Sequence, residues 1–86
     1  MDLSTFIVWI ERKPSFSGDT IAGHRDFISQ LKENGLLVFA GPFSDQTGGA
    51  YVIKATSLES VKSLIGNDPM NNEDCIYEVK EWNYSS

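Results

Sequence analysis

The order of apolar segments predicts an α+β fold of the ferredoxin-like kind, in which a four-stranded antiparallel sheet carries two helices on one face. Short segments rich in β-branched and aromatic residues alternate with two longer segments whose apolar residues have helical spacing, in the order β-α-β-β-α-β. Loops rich in glycine, proline and polar residues separate them. We expect one domain over residues 1–86, with a core from about residue 5 to 82, because 86 residues leave no room for two.

The first strand is predicted over Thr5–Arg12, where β-branched and aromatic residues dominate. Alternate side chains of a strand point to opposite faces of the sheet. Phe6 and Val8 therefore lie on one face, and Ile7 and Trp9 lie on the other. Both faces of this strand are apolar.

The first helix is predicted over Ile21–Asn34, where apolar residues recur every three or four positions. Asp19 or Thr20 can serve as its N-cap. Gly35 follows at the position where a helix often ends in a left-handed residue. The apolar stripe of this helix includes His24, the single histidine of the chain.

The second and third strands are predicted over Leu36–Ala40 and Ala50–Ala55, joined by a long hairpin connection over residues 41–49. Regular alternation places Leu37 and Phe39 together on one face of the second strand. The other face of that strand is also apolar.

The second helix is predicted to begin at Thr56, because Glu59 three residues later would complete a capping box. Gly66 and Asn67 end it. The fourth strand is predicted over Ile76–Trp82.

The composition argues against several classes of partner. Seven Lys and Arg residues against twelve Asp and Glu give a net charge of −5, which disfavours nucleic acids and anionic membrane surfaces. The longest uninterrupted apolar run, Phe6–Ile10, is far too short to cross a bilayer. The single cysteine, Cys75, cannot form an internal disulfide, which favours a reducing, cytoplasmic location.

The apolar second face predicts an interface. Two helices cover only one face of a four-stranded sheet, and an antiparallel sheet with a solvated second face should alternate apolar and polar residues. The first two strands do not alternate in this way. We therefore expect the helix-free face to pack against a second copy of the chain, as a homodimer, or to enclose a ligand.

Two residues are candidates for acid–base chemistry. His24 lies near the start of its helix, where the dipole favours the neutral imidazole that a general base requires. Asp68, before Pro69, could accept a hydrogen bond from that ring. The alternative is that His24 is a core residue bonded locally and Asp68 only shapes a turn. The sequence spacing does not show whether Asp68 or Asp45 is the partner.

The hairpin connection supplies candidate ligand contacts. Gly41, Pro42 and Phe43 open it, Asp45 follows, and Trp9 is a further candidate. The connection lacks the sequence pattern of a phosphate-binding loop. One histidine and one cysteine are too few for a conventional zinc site, so we expect no metal and no cofactor.

Several short motifs occur in a fixed order along nearly the whole chain. They are the helix with His24 and Leu31, Ala40-Gly41-Pro42-Phe43, Asp45 with Gly48-Gly49, Asp68-Pro69, and a last strand with Tyr77, Val79 and Trp82. This set resembles the YciI-like (YCII-related) family over roughly residues 5–82. The resemblance implies a dimeric α+β barrel, similar in fold to muconolactone isomerase, with an unidentified small organic molecule as ligand.

The resemblance also implies an acid–base dyad, which by position is His24 and Asp68, with Asp45 as a second carboxylate candidate. One branch of the family eliminates chloride from a chlorinated hydroxyquinol, so a cofactor-free isomerase or lyase is expected. Three features depart from the family pattern, the first being that the helix before Asp68 lacks the usual alanines. Many members carry an arginine before the histidine, whereas here Arg25 follows it, and the segment Met70–Asp74 is unusually polar. The alternative is therefore a non-catalytic, metabolite-binding or regulatory dimer.

Overall fold

The computed structural model describes residues 3–85, so residues 1, 2 and 86 of the expected domain lie outside the described part. Its elements follow the predicted order. They are β1 (Ser4–Arg12), α1 (Ile21–Glu33), β2 (Leu37–Pro42), β3 (Gly48–Ala55), α2 (Leu58–Ile65) and β4 (Cys75–Glu81). Within residues 3–85, neither helix is long and apolar enough to cross a membrane.

The sheet has the strand order β2-β3-β1-β4, and all neighbouring strands are antiparallel. β1 is therefore a central strand, with Val8 opposite Tyr51 on β3 and opposite Val79 on β4. Both helices pack on the same core, so the predicted ferredoxin-like arrangement is confirmed.

The core lies between the helices and one face of the sheet. The predicted inward side chains of β1, Phe6, Val8 and Ile10, are all almost fully buried. Phe27 of α1 and Val61 of α2 pack against them. Each such side chain contributes about 1.5–3 kcal/mol when it is fully buried, so this layer is the main source of stability.

A β-bulge between Leu37 and Phe39 changes which face of the sheet the side chains of β2 point to. Leu37 pairs with Ile53 while Phe39 pairs with Val52, so two steps along β2 match one step along β3. The prediction that Leu37 and Phe39 share a face is therefore wrong, because the extra residue reverses the alternation. Phe39 is turned to the helix-free face, where half of its surface is exposed.

The N-cap of α2 is Ser57 rather than Thr56. Ser57 has the extended backbone that an N-cap requires, and its hydroxyl accepts a hydrogen bond of 3.1 Å from the backbone N–H of Ser60. The predicted capping box is wrong because the helix begins one residue later than the pattern suggested. Thr20 is the N-cap of α1, but its side chain makes no capping bond.

Glycines allow the strands to approach at the hairpin end of the sheet. A Cβ atom on Gly48 would overlap the backbone carbonyl of Ile10. A Cβ atom on Gly49 would lie 2.7 Å from the carbonyl oxygen of Gly41. No other residue type fits these two positions without moving the neighbouring backbone.

The helix-free face of the sheet carries an aromatic surface formed by Trp9, Phe39, Trp82 and Tyr84. After β4, the backbone N–H of Trp82 donates to the carbonyl of Thr5 at 2.8 Å. The rings of Trp82 and Tyr84 then lie 6.4 and 6.2 Å from the ring of Phe39, measured between centroids. Because β4 and β2 are the two edge strands, the chain beyond β4 crosses this face to reach Phe39.

Candidate active site

His24 and Asp68 meet on the helical side of the sheet. His24 lies one turn into α1, and its side chain keeps 19% of its surface exposed, whereas that of Asp68 is fully buried. Nδ1 of His24 is 2.9 Å from each carboxylate oxygen of Asp68. Asp45, the other carboxylate that the sequence left open, lies in the exposed β2–β3 connection.

A tight turn after α2 positions Asp68. Its backbone N–H donates to the carbonyl of Ile65 at 3.0 Å, and its own carbonyl accepts from the N–H of Asn71 at 2.9 Å. Gly23 of α1 packs directly against Pro69, because a Cβ on Gly23 would come within 2.9 Å of the proline ring. The missing side chain at Gly23 thus lets the helix bring His24 close to Asp68.

Asp68 is the centre of a buried hydrogen-bond network. Besides His24, its carboxylate accepts from the hydroxyl of Tyr77 at 2.7 Å, from the hydroxyl of Tyr51 at 3.4 Å, and from the backbone N–H of Met70 at 3.0 Å. A carboxylate that accepts from Nδ1 keeps the proton on that nitrogen and leaves Nε2 as the acceptor. The arrangement therefore fixes the orientation and tautomer that a histidine base needs.

The two tyrosines remain protonated donors. Burial raises the pKa of Tyr51 and of Tyr77 well above the ordinary value for a phenol, and the neighbouring carboxylate of Asp68 raises both pKa values further. A phenolate beside Asp68 would place two negative charges together in a buried site. Each hydroxyl is therefore held as a hydrogen-bond donor to Asp68.

These raised pKa values predict a loss of stability at high pH. In the unfolded chain a tyrosine loses its proton near pH 10, whereas Tyr51 and Tyr77 keep theirs in the fold. The free energy of unfolding should fall above pH 10, by about 1.4 kcal/mol per pH unit for each such tyrosine. In urea titrations between pH 8 and about 11, Tyr77→Phe should flatten this slope by one such increment. Tyr84→Phe is the control, and equal slopes for the two variants would contradict the assignment.

A cavity of about 470 Å³ lies beside His24. His24, Tyr51, Gly41 and Pro42 contribute to its wall. The rest of the lining includes apolar side chains of the sheet, of α1 and of the turn after α2, namely Ile10, Ile21, Ile28 and Met70. Its volume is in the range of sites for small organic ligands.

The remaining predicted site residues lie outside this lining. Phe43 packs against Trp9 with ring centroids 4.5 Å apart, and Trp9 is on the helix-free face. Asp45 accepts hydrogen bonds from the hydroxyl and from the backbone N–H of Thr47, at 2.7 and 3.0 Å, and these bonds lower its pKa. These contacts give Asp45 a role in shaping the turn.

Sequence reasoning missed the residues that support the dyad. Tyr51 and Tyr77 were assigned to strands, and Gly23 to a helix interior, without a link to the site.

Burial raises the pKa of the thiol of Cys75, which makes it a poor nucleophile. Among residues 3–85, no three His, Cys, Asp or Glu side chains converge.

The fold and site define a ferredoxin-like α+β domain with a histidine–carboxylate pair at a cavity. The family model of the YCII-related domain matches residues 5–83, and the chain belongs to this family. It is 38% identical over 79 residues to the uncharacterized protein YjpA of Bacillus subtilis (strain 168), covering 91% of this chain and 93% of that one.

A solved structure shares the fold. It is 5-chloro-2-hydroxyhydroquinone dehydrochlorinase (TftG) from Burkholderia phenoliruptrix AC1100, in complex with 2,5-dihydroxybenzoquinone. The TM-score is 0.77 at 22% sequence identity, with 94% of this chain and 95% of that chain covered.

Proposed function

We propose that this protein is a cofactor-free enzyme that transfers a proton within a small organic molecule, as an isomerase or a lyase. The observation that carries the proposal is the contact of His24 Nδ1 with the buried carboxylate of Asp68, at 2.9 Å, beside a cavity of about 470 Å³. His24 is the general base and Asp68 orients it. Gly41 and Pro42 form part of the wall around the ligand.

The chemistry follows from the fixed tautomer. Nε2 of His24 removes a proton from a carbon next to a carbonyl group, and the electron pair of the broken C–H bond moves into that carbonyl as an enolate. Asp68 stabilises the imidazolium that forms. Where the enolate is conjugated with a C=C bond, its far carbon takes the proton back from His24, which shifts the double bond. Where the carbon adjacent to the former C–H bears a leaving group, the enolate expels that group with its bonding electron pair, and His24 then releases the proton to solvent. A positioned base of this kind contributes about 10²–10⁴-fold in rate.

The dehydrochlorinase of the same fold supports a small cyclic ligand, because its structure contains 2,5-dihydroxybenzoquinone.

The polar segment Met70–Asp74, which follows Asp68, also fits an intact site. The side-chain amides of Asn71 and Asn72 donate to the carbonyls of Ile65 and Pro69, at 3.2 and 3.1 Å. These polar residues hold the turn that carries Asp68, while Met70 enters the cavity wall.

We also propose that the protein is a cytoplasmic homodimer that pairs through the helix-free face. The support for dimerisation is the aromatic surface, where Trp9, Phe39, Trp82 and Tyr84 are each more than a third exposed. The chain exposes 5707 Å². A monomer of 9.6 kDa is expected to expose about 5,100 Å², so this chain exposes more surface than a typical monomer of its size.

The support for a cytoplasmic location is the single cysteine, Cys75, which suits a reducing compartment.

Solvent hydrogen exchange tests the catalytic proposal. Small cyclic ketones, unsaturated lactones and hydroxylated quinones are incubated with the protein in D₂O, and ¹H NMR follows the loss of carbon-bound protons. We expect exchange above the buffer rate for at least one probe, and a decrease of about 10²–10⁴-fold in His24→Gln. Glu59→Gln, on the exposed surface of α2, is the matched control.

Two results would count against catalysis. Equal exchange by the wild type and His24→Gln would show that His24 is not the base. Binding of a probe in the cavity with no exchange of any probe would favour the alternative, a metabolite-binding module without turnover. In that case Asp68 and His24 would serve only to shape the binding site.

A further inference from the structure

The cavity beside His24 has a charge opposite to that of the protein as a whole. The chain carries a net charge of −5. The charged and ionisable side chains in the cavity lining are Arg12, His24, Arg25 and Tyr51, and no aspartate or glutamate is among the lining residues. A cationic lining in an acidic protein attracts anions to that place and repels cations from it.

Within residues 3–85, no carboxylate forms an ion pair with either arginine of the lining. Among residues 3–85, His24 and Asp68 form the only pair of a basic and an acidic side chain with a nitrogen and an oxygen within 4.0 Å of each other. Neither Arg12 nor Arg25 therefore has a carboxylate partner in the described part of the chain. Arg25 is exposed, so its charge is screened by solvent, whereas Arg12 is half-buried.

The fold holds the guanidinium of Arg12 in one place. Arg12 ends β1, and its backbone N–H donates to the carbonyl of Thr47 at 2.8 Å. The guanidinium carbon lies 4.6 Å from the centre of the Phe16 ring, and Nη1 donates to the carbonyl of Gln46 at 3.3 Å. A stacked and anchored guanidinium has already lost most of its side-chain freedom, so little further ordering is needed to bind a ligand.

One donor of this guanidinium has no acceptor. Nε of Arg12 is buried and makes no hydrogen bond within residues 3–85. A buried donor on a charged group is costly to leave unpaired, so such groups are normally satisfied. The Nε side of a guanidinium, with its neighbouring Nη, presents two parallel donors that match the two oxygens of a carboxylate.

We infer that the cavity takes a small organic anion, with an apolar or aromatic body and one carboxylate or ring-bound oxyanion, and that Arg12 is the residue that binds the anionic group. Ile21, Ile28 and Met70 supply the apolar wall for the body of the ligand. This inference rests on the proposed function in naming the substrate class of the same site. Arg12 sets specificity, while His24 carries out the chemistry.

Matched acid and amide pairs test the inference without knowledge of the natural substrate. Benzoate, cinnamate and 2,5-dihydroxybenzoate are titrated beside benzamide, cinnamamide and 2,5-dihydroxybenzamide, which have similar shapes but no charge. Binding is followed in ¹H–¹⁵N spectra that include the Nε–H signal of Arg12. We expect at least one acid to bind tenfold or more tightly than its amide, and to shift the Arg12 Nε–H signal.

Variants then assign the effect to one residue. Arg12→Gln should weaken acid binding at least tenfold and leave amide binding unchanged, and Arg12→Lys should restore part of the affinity. Lys13→Gln is the matched control, because it removes one positive charge at the next residue, which is exposed and outside the lining. The amide titration also reports whether Arg12→Gln still forms the cavity.

The outcomes separate this inference from the proposed function. If none of the acids binds more tightly than its amide to the wild type, or if Lys13→Gln weakens acid binding as much as Arg12→Gln, the assignment to Arg12 is wrong. If the acid preference depends on Arg12 but no probe exchanges protons, the anion site stands and catalysis fails. If exchange depends on His24 but acids and amides bind equally, catalysis stands and the anion site fails.

Discussion

Replacing Asp68 with alanine should destabilise the domain by about 3–5 kcal/mol, because it removes the acceptor of a buried network. Tyr77, Tyr51 and the backbone N–H of Met70 would each lose the oxygen to which they donate. An unsatisfied buried donor costs about 1–3 kcal/mol. Small domains have total stabilities of about 5–15 kcal/mol, so this one change should remove a large part of the stability.

Urea denaturation followed by tryptophan fluorescence measures this loss. All variants are compared at one protein concentration, because association would add to the apparent stability. Asp45→Ala is the matched control: it removes an exposed aspartate that bonds only within its turn, and should cost less than about 1 kcal/mol.

Asp68→Asn distinguishes a buried carboxylate acceptor from a residue that only fills space. Asparagine has nearly the same shape, but its amide nitrogen donates and would face hydroxyl and backbone donors. We expect a loss between those of the alanine variant and the wild type. A loss below about 1 kcal/mol in Asp68→Ala would show that the network around Asp68 adds little stability.

The architecture could be predicted because it depends on repeated local patterns. β1 is apolar at every other position toward the core, and Phe6, Val8 and Ile10 are buried as that alternation requires. α1 has its apolar residues at helical spacing, with Phe27 and Leu31 buried. The apolar patterns did not predict features that depend on the position of a single residue. The bulge before Phe39 and the cap at Ser57 both shift the chain by one position.

The candidate site was only partly predictable. The sequence predicts that His24 pairs with a carboxylate, but it leaves open whether the partner is Asp68 or Asp45. His24 and Asp68 are 44 residues apart in the sequence and meet only through tertiary packing. Their contact depends on the close approach of Gly23 to Pro69 and on donors from two strands, Tyr51 and Tyr77. These residues look like ordinary helix and strand residues in the sequence, because their roles arise only when the helix is placed on the sheet.

The second large effect is expected at the helix-free face. Trp9 lies on the central strand β1 with 42% of its surface exposed. In a two-fold dimer both copies contribute the same surface to the interface, so a substitution of Trp9 removes two tryptophan side chains from it. An aromatic side chain has about 150–250 Å² to bury, so the 42% of Trp9 still exposed is worth about 1.6–2.6 kcal/mol at about 25 cal/mol per Å². Losing both copies should therefore cost about 3–5 kcal/mol. The dimer dissociation constant should therefore rise about 10²–10⁴-fold in Trp9→Lys.

Lysine is chosen so that the monomer still folds. Glu78 lies opposite Trp9 on β4, and Glu11 is two residues along β1 on the same face, so both can compensate a positive charge there. Leu58→Lys is the matched control. Leu58 is as exposed as Trp9, at 41%, but lies on α2, away from the helix-free face.

Sedimentation velocity over a series of protein concentrations gives the dissociation constants. We expect the wild type and Leu58→Lys to be dimers at micromolar concentration and Trp9→Lys to be a monomer. A wild type that sediments as a monomer would show that the aromatic surface does not pair two copies. Equal dissociation of both lysine variants would move the interface from the sheet to a surface that includes α2. Because His24 and Asp68 lie on the opposite side of the sheet, loss of the dimer should leave the contact between them intact.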